Sequence, residues 1–259
     1  MFRKHTTPVL MPALLALLLG GCASAPEGSA SPGDPLESFN RPVHTFNDKL
    51  DRGFLRPLAR GYDRATPGPI DRAISNFFSN LDDIAVLFNS ALQAKPRATA
   101  VTTSRLFVNT TIGLGGLLDV AKRMGAEKRD EDFGQTLGYW GVGSGPYLVL
   151  PLLGPSTVRD APAMLVDAQL DPVNEIDDDE AWLAMEALRV VDRRAALLGT
   201  TEMLETAVVD SYTFTRGAYL RNRANRVYDG DPPPEALPGD ADEDFDPFSN
   251  EDDDLFEDG

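Results

Sequence analysis

Apolar residues recur at helical spacing through most of the chain. After Pro69, apolar positions follow one another at intervals of three and four, and the positions between them are largely polar. The apolar set comprises Ile70, Ile74, Phe77, Phe78, Leu81, Ile84, Ala85, Phe88 and Leu92. This period is typical of an amphipathic helix, and proline suits a first helical turn because that turn needs no backbone donor. The pattern therefore predicts one helix over residues 69–92.

The same spacing predicts further helices on both sides. The candidates are residues 97–110, residues 117–124 ended by Gly125, a long helix starting at Asp178 or Asp179, and a final helix over residues 202–226. The adjacent carboxylates Asp82-Asp83 and Asp177-Asp178-Asp179 are interpreted as surface or capping groups.

A stripe of basic residues precedes these helices. It consists of Lys49, Arg52, Arg56, Arg60 and Arg64, beside Leu50, Phe54, Leu55 and Leu58. Such a stripe suits phospholipid head groups, but pairing with Asp48, Asp51 and Asp63 explains it equally well. Pro57 is expected to interrupt any single helix here.

Residues 133–151 have a different composition, in which aromatic residues are interspersed with glycines. Each glycine costs a helix about 1 kcal/mol relative to alanine. The segment therefore predicts a short hairpin or a close-packed loop. The fold class predicted for the whole chain is mainly α, with one glycine-rich irregular segment.

The amino-terminal segment has the pattern of an export signal. Arg3 and Lys4 are positive, and residues 9–19 form an apolar run broken only by Pro12. At ~1.5 Å per residue this run is too short to cross a hydrocarbon layer about 30 Å thick. Residues 1–21 are therefore predicted to be a signal peptide.

Cys22, the only cysteine of the chain, follows Leu19-Gly20-Gly21. The four residues resemble the lipobox of bacterial lipoproteins, whose cysteine is acylated; the alternative is a chance cysteine after an ordinary signal peptide. Residues 22–33 are then a lipidated flexible tether. Ala23, where aspartate would retain a lipoprotein in the inner membrane, favours the outer membrane.

Most of the net charge of −17 belongs to the carboxyl-terminal end of the chain. Residues 229–259 hold 14 of the 41 acidic residues and no Lys or Arg, so the rest of the chain has 27 acidic and 24 basic residues. Residues 229–259 are predicted to be a disordered acidic tail. Residues 34–228 are predicted to be the folded domain.

No catalytic arrangement is visible in the sequence. The histidines are His5, within the signal, and His44, and Ser144 lacks the glycines of a nucleophile elbow. With one histidine and no free cysteine in the mature chain, zinc is not expected. Asp240, Asp242, Asp244 and Glu251 have the spacing of the ligands in a calcium-binding loop. Such a loop needs glycine at its sixth position, where this chain has Phe245. We expect no catalytic residue, metal or cofactor.

Several blocks together resemble the MlaA (VacJ) family of outer-membrane lipoproteins. They read DPLESFNR at 34–41, FN at 46–47, NFFSNL at 76–81, GLGG at 113–116 and FGQTLG at 133–138. Further matches are Gly145-Pro146-Tyr147, Arg159-Asp160, Asp210 and Tyr212. The resemblance covers about residues 34–223 in order and departs from the family in the acidic tail and at His44-Thr45.

The resemblance implies a ring of amphipathic helices around a central channel, lying in the periplasmic leaflet of the outer membrane. It also implies removal of misplaced phospholipids from the outer leaflet, transfer to the periplasmic carrier MlaC, and association with a trimeric porin. No nucleic acid is expected as a partner. The rival hypotheses are a scaffolding lipoprotein bound to porins and, less consistent with the residues, a lipid hydrolase.

The glycine-rich segment, at about residues 131–149, is our candidate for a hairpin that borders the channel; the alternative is a buried structural turn. The candidate residues are Phe39, Asn40, Phe133, Gly134, Gly138, Tyr139, Gly141, Gly143, Gly145, Pro146 and Tyr147.

Overall fold

A computed structural model describes residues 33–237, without the side chains of residues 204–207. The signal peptide, Cys22, nearly all of the tether and the tail beyond residue 237 lie outside the described residues. Helices predominate in the described part, which confirms the mainly α class. The helices are α1 Glu37–Leu50, α2 Arg56–Ala65, α3 Gly68–Leu92, α4 Pro96–Thr111, α5 Val120–Arg123, α6 Phe133–Tyr139, α7 Asp160–Gln169, α8 Asp179–Ala196, α9 Leu198–Ala207 and α10 Ser211–Val227, and the strands are β1 Tyr147–Leu150 and β2 Gly154–Thr157.

The prediction that Pro57 interrupts the first helix is wrong. A π-helical turn, Asp51–Leu55, joins α1 directly to α2. At its end the Arg56 N–H donates to the Asp51 carbonyl, five residues back. The wider turn accommodates a proline, which lacks a backbone donor and would clash in a regular α-helix.

The periodic helices lie close to their predicted bounds. Helix α3 packs against α4, and α2 packs against α8. Asp178 caps α8, because its carboxylate accepts from the Ala181 N–H at 2.7 Å. The helix predicted over 117–124 shrinks to α5. The helix predicted over 202–226 is two helices, since Asp210 begins a new one by accepting from the Tyr212 N–H at 3.0 Å.

The glycine-rich segment, residues 133–151, is neither a hairpin nor a loop throughout, although it contains part of each. Its first part is helix α6, and a loop follows as far as Pro146. The hairpin consists of β1 and β2, paired antiparallel with Tyr147 opposite Thr157 and Leu150 opposite Gly154. Strand β1 thus lies within residues 133–151, whereas β2 lies beyond them.

Burial in this protein is reversed relative to an ordinary soluble domain. Most buried side chains in residues 33–237 are polar or charged, and Arg105, Gln93 and Gln135 are among the largest that are fully buried. Many large apolar side chains are exposed, including Phe107 at 68% and Leu152 at 69%. Exposed apolar surface on this scale marks contact with lipid or protein. No helix in the described residues has both the length and the apolar composition needed to cross a bilayer.

Candidate functional site

Two asparagines on α1 hold strand β1 in place. The Asn40 amide donates to the Tyr147 carbonyl at 3.0 Å and its oxygen accepts from the Val149 N–H at 2.8 Å. Asn47 repeats the arrangement, donating to the Leu150 carbonyl at 2.9 Å and accepting from the Leu152 N–H at 2.8 Å. Each side chain thus bonds the strand edge as a neighbouring strand would.

The spacing of the two asparagines explains why this arrangement fits. Seven residues of α-helix rise about 10.5 Å, and three residues of strand extend about 10 Å. Asn40 and Asn47 are two helical turns apart, so both face the hairpin. Asn40 was among the predicted site residues and Asn47 was not, although the seven-residue interval is visible in the sequence. Phe39 is partly exposed.

Arg223, on α10, joins two carboxylates from other elements. Its Nε donates to Asp160 at 2.7 Å, and its Nη2 donates to Asp132 at 2.6 Å. Arg159 and Tyr219 also donate to Asp160, at 2.7 and 3.1 Å. These charge-assisted bonds fix α6, α7 and α10 to one another.

The same arginine explains the glycine at the start of α6. A Cβ atom at Gly134 would lie 2.3 Å from Arg223 Nη2 and 2.5 Å from Asp160 Oδ1. Asp132 caps this helix by accepting from the Gln135 N–H at 2.8 Å. The cap and the ion pairs offset the helical cost of glycine, which is why the segment is helical despite its composition.

The environment of Arg223 shifts the acidity of its partners. Burial alone would raise the pKa of Asp132, but the hydrogen bond and charge of Arg223 outweigh it and lower that pKa to about 2. The pKa of Asp160 is lowered as well, because Arg159 and Arg223 outweigh its burial. Both groups are therefore carboxylates at neutral pH.

A second polar network lies behind α6. Gln93 donates to Glu131 at 3.0 Å and to Thr136 at 3.1 Å. Thr136 donates to Asn89 at 2.8 Å, and Asn89 donates to Asp167 at 2.8 Å. Hydrogen bonds thus replace apolar packing between α3, α6 and α7.

Six of the predicted site residues line one cavity of about 410 Å³, which we call the glycine cavity. They are Gly138, Gly141, Gly143, Gly145, Pro146 and Tyr147. Arg159 and Arg223 give its wall a charged part, and Leu220 and Val227 an apolar part. The remaining predicted residues do not line it: Asn40 is buried behind the hairpin, Phe133 packs edge-on against Trp140, Gly134 faces Arg223, and Phe39 and Tyr139 are exposed.

A second cavity, of about 460 Å³, was not anticipated from the sequence. We call it the charged cavity, because Asp82, Asp171, Arg189 and Arg193 line it beside Leu81, Val86, Met164 and Leu170. Asp132 also lines this cavity, whereas its partner Arg223 lines the glycine cavity. The Asp132–Arg223 ion pair therefore lies between the two. The periodic pattern of the sequence could not reveal the charged cavity, because the walls of this cavity come from separate helices.

Two expectations about charged residues are resolved by the contacts. Within the basic stripe, Arg52 pairs with Asp48 at 2.9 Å and Arg56 with Asp51 at 3.3 Å, which supports the pairing alternative for both. Asp83 is not the surface or capping group that was predicted. It is fully buried and pairs with Arg105 at 3.1 Å and with Lys128 at 2.6 Å.

One histidine lies beside a serine hydroxyl, away from both cavities. In residues 33–237 no group of three His, Cys, Asp or Glu side chains is arranged to hold a metal ion. His44 lies 3.2 Å from Ser211 Oγ, a pair that the sequence analysis did not connect. Burial lowers the pKa of His44. Neither residue lines the glycine cavity or the charged cavity.

Comparison with known proteins identifies relatives over the whole folded body. The family model described as MlaA lipoprotein matches residues 32–226. The chain is 38% identical over 219 residues to the intermembrane phospholipid transport system lipoprotein MlaA of Shigella flexneri, covering 81% of this chain and 84% of the relative. The protein of the same name from Haemophilus influenzae is 33% identical over 231 residues, with coverages of 87% and 92%.

A solved structure gives the same result for the fold. Described as the structural basis for maintenance of bacterial outer membrane lipid asymmetry, it matches with a TM-score of 0.67 at 33% identity, covering 76% of this chain and 100% of the other. MlaA is not a known enzyme family. Because the family match and these relatives cover most of the chain, the protein belongs to the MlaA lipoprotein family.

Proposed function

We propose that this protein removes misplaced phospholipids from the outer leaflet of the outer membrane and passes them to a periplasmic carrier, which maintains lipid asymmetry. The observation that carries the proposal is the 38% identity to an intermembrane phospholipid transport lipoprotein across 81% of the chain. In this role the protein is a transport component and not an enzyme.

The distribution of apolar and polar residues supports this role. Exposed apolar side chains suit helices that lie in one leaflet, where Cys22 would add an acyl anchor. Moving a bare head group through hydrocarbon is costly, and a polar wall lowers that barrier. The proposal includes a ring of helices around a central channel in the periplasmic leaflet, with the glycine cavity and the charged cavity as parts of the lipid path.

The proposed partners follow from the same role. Phospholipid is the substrate, a soluble carrier of the MlaC type receives it, and a trimeric porin holds the lipoprotein in the outer membrane. A carrier must approach from the periplasm, and a porin must contact the side of the ring.

Deletion of the gene tests the proposal directly. Phospholipid on the cell surface should increase in the deletion strain, as measured by labelling head groups with a reagent that does not cross the outer membrane. Expression of the wild-type chain should restore the low level. A normal surface level in the deletion strain, with porins assembled abnormally, would instead identify a scaffold.

A further inference from the structure

A small cleft lies between the start of α3 and the segment that leads into α5. Its volume is about 330 Å³, and we call it the basic cleft. Three cations line it, Arg72, Lys122 and Arg123, together with two leucines, Leu117 and Leu118. It shares no lining residue with the glycine cavity or the charged cavity.

The three cations are exposed, and in the part of the chain that the structure describes none of them has a recorded ion pair. The acid that lines the cleft, Asp119, is already engaged. It accepts from Arg105 at 3.2 Å, from Asn109 at 3.0 Å and from the Lys122 N–H at 3.0 Å. Because these donors already engage the carboxylate of Asp119, it does not neutralise the positive charge of the three cations.

The charges beneath the cleft balance one another. Arg105 pairs with both Asp83 and Asp119, and Lys128 pairs with Asp83. Two carboxylates thus face two cations, so this buried group adds no negative charge to the cleft. Asp71, next to Arg72 in the chain, lies near the Tyr62 hydroxyl, whose pKa is raised by burial, by Asp192 and to a smaller extent by Asp71.

Apolar residues adjoin the cations. Leu117 and Leu118 are 40% and 43% exposed. Asn76 holds this segment by donating to the Leu117 carbonyl at 3.2 Å. Ile70 and Met124, both neighbours in sequence of lining residues, are exposed as well. Cations beside apolar side chains match the two parts of a phospholipid, its phosphate and the start of its acyl chains.

We propose that the basic cleft binds the phosphate of an anionic phospholipid head group, with Leu117 and Leu118 against the first methylenes of the acyl chains. The proposal rests on the proposed function, since both place the protein among phospholipids. A bound head group here would fix the depth and orientation of α3 and α5 relative to the head-group layer.

The test is binding of short-chain phosphatidylglycerol, below its micelle concentration, to the detergent-solubilised full-length protein. The triple variant Arg72→Gln, Lys122→Gln, Arg123→Gln should bind about a hundredfold more weakly, at about fivefold for each cation. The matched control is Arg97→Gln, Arg129→Gln, Arg221→Gln, which removes three exposed cations outside the basic cleft and the basic stripe and changes the net charge equally. It should bind within about twofold of the wild type.

Short-chain phosphatidylcholine and inorganic phosphate are the comparison ligands. If both bind more weakly than phosphatidylglycerol, the result supports a site for an anionic phospholipid. Equal losses of binding in the two triple variants would overturn the proposal, because only net charge would then matter. Binding of inorganic phosphate as tight as that of the lipid would also overturn it. If the triple variant is misfolded by circular dichroism, Arg123→Gln alone should show the fivefold loss, and unchanged binding would overturn the site.

Failure of the site and failure of the function give different results. Unchanged lipid binding in the triple variant, with raised surface phospholipid in the deletion strain, overturns the cleft alone. Lost binding with normal surface phospholipid supports the cleft and contradicts the transport function.

Discussion

At the scale of single residues, the side chain of Asn40 occupies the place of a third strand beside the hairpin. It is fully buried, and two of its bonds go to backbone groups of β1, while a longer third bond is donated to Asp34 Oδ1 at 3.4 Å. Asn40→Ala should lower the free energy of unfolding by about 2 to 4 kcal/mol, because it leaves a buried carbonyl and a buried N–H unpaired. Chemical denaturation in detergent measures this.

Asn222→Ala, at an exposed position of α10, serves as the control for Asn40→Ala. It should change the free energy of unfolding by less than about 0.5 kcal/mol. If the two variants were equally stable, the bonds from Asn40 to β1 would contribute nothing to the fold.

Asp132 gives the protein an acid-sensitive contact. Its pKa is lowered to about 2 in the folded protein, from about 3.9 when unfolded. The unfolded chain therefore binds the proton first, and this stabilisation is present above about pH 4 and is lost as the pH falls toward about 2. Asp132→Asn should flatten the pH dependence of the unfolding free energy in that window.

Asparagine retains the N-cap of α6, so the Asp132→Asn variant removes the charge and not the cap. Asp178→Asn is the matched control, because Asp178 caps α8 through the Ala181 N–H. Its pH profile should resemble that of the wild type. Identical profiles for the wild type and Asp132→Asn would show that Arg223 does not set this dependence.

At the scale of elements, the sequence was sufficient where a helix has an apolar stripe and a clear start. Helix α3 begins at Gly68, beside the predicted Pro69, and α8 is capped by the predicted Asp178. Helix α6 could not be predicted, because its stability depends on an arginine far along the chain. The spacing of apolar residues reflects the local preference of the chain for a helix. It does not show the tertiary contacts that stabilise a helix of poor local preference.

The candidate site was predictable to a similar extent. Six glycine-segment residues do line one cavity, and Asn40 does support the hairpin. Arg223 was missed because its partner Asp132 lies 91 residues away and nothing in the spacing connects them. The charged cavity was missed because five separate segments of the chain form it.

The loop between α6 and β1 offers a direct test of the glycine cavity. A Cβ at Gly143 meets no atom within 4 Å, whereas Gly141 has a φ of +90°, which would strain any side chain. Gly143→Leu should therefore fold normally, with an unfolding free energy within about 1 kcal/mol of the wild type. By filling the cavity it should raise surface phospholipid toward the level of the deletion strain.

Gly199→Leu is the control for this loop, since Gly199 also has open space around it and lies in α9, outside the cavity. It should leave surface phospholipid at the wild-type level. Normal asymmetry in a stably accumulated Gly143→Leu protein would remove the glycine cavity from the lipid path.

At the scale of the whole molecule, the polar interior and the exposed apolar surface predict affinity for amphiphiles without any anchor. The variant Cys22→Ala, which lacks the predicted acylation site, should still partition into the detergent-rich phase of a phase-separating detergent. The reason is the exposed apolar surface of the folded body. A monodisperse, detergent-free monomer in aqueous buffer would contradict this.

The ion pairs of Arg223 also bear on when the chain can fold. Synthesis proceeds from the amino end, so Asp132 emerges 91 residues before Arg223 and Asp160 emerges 63 residues before it. Closing the domain earlier would leave both carboxylates without the Arg223 guanidinium, which is unfavourable above all for Asp160, because that side chain is buried. We therefore expect the domain to close only after α10 has been made, and an open chain is the condition that a translocation pore requires of its cargo.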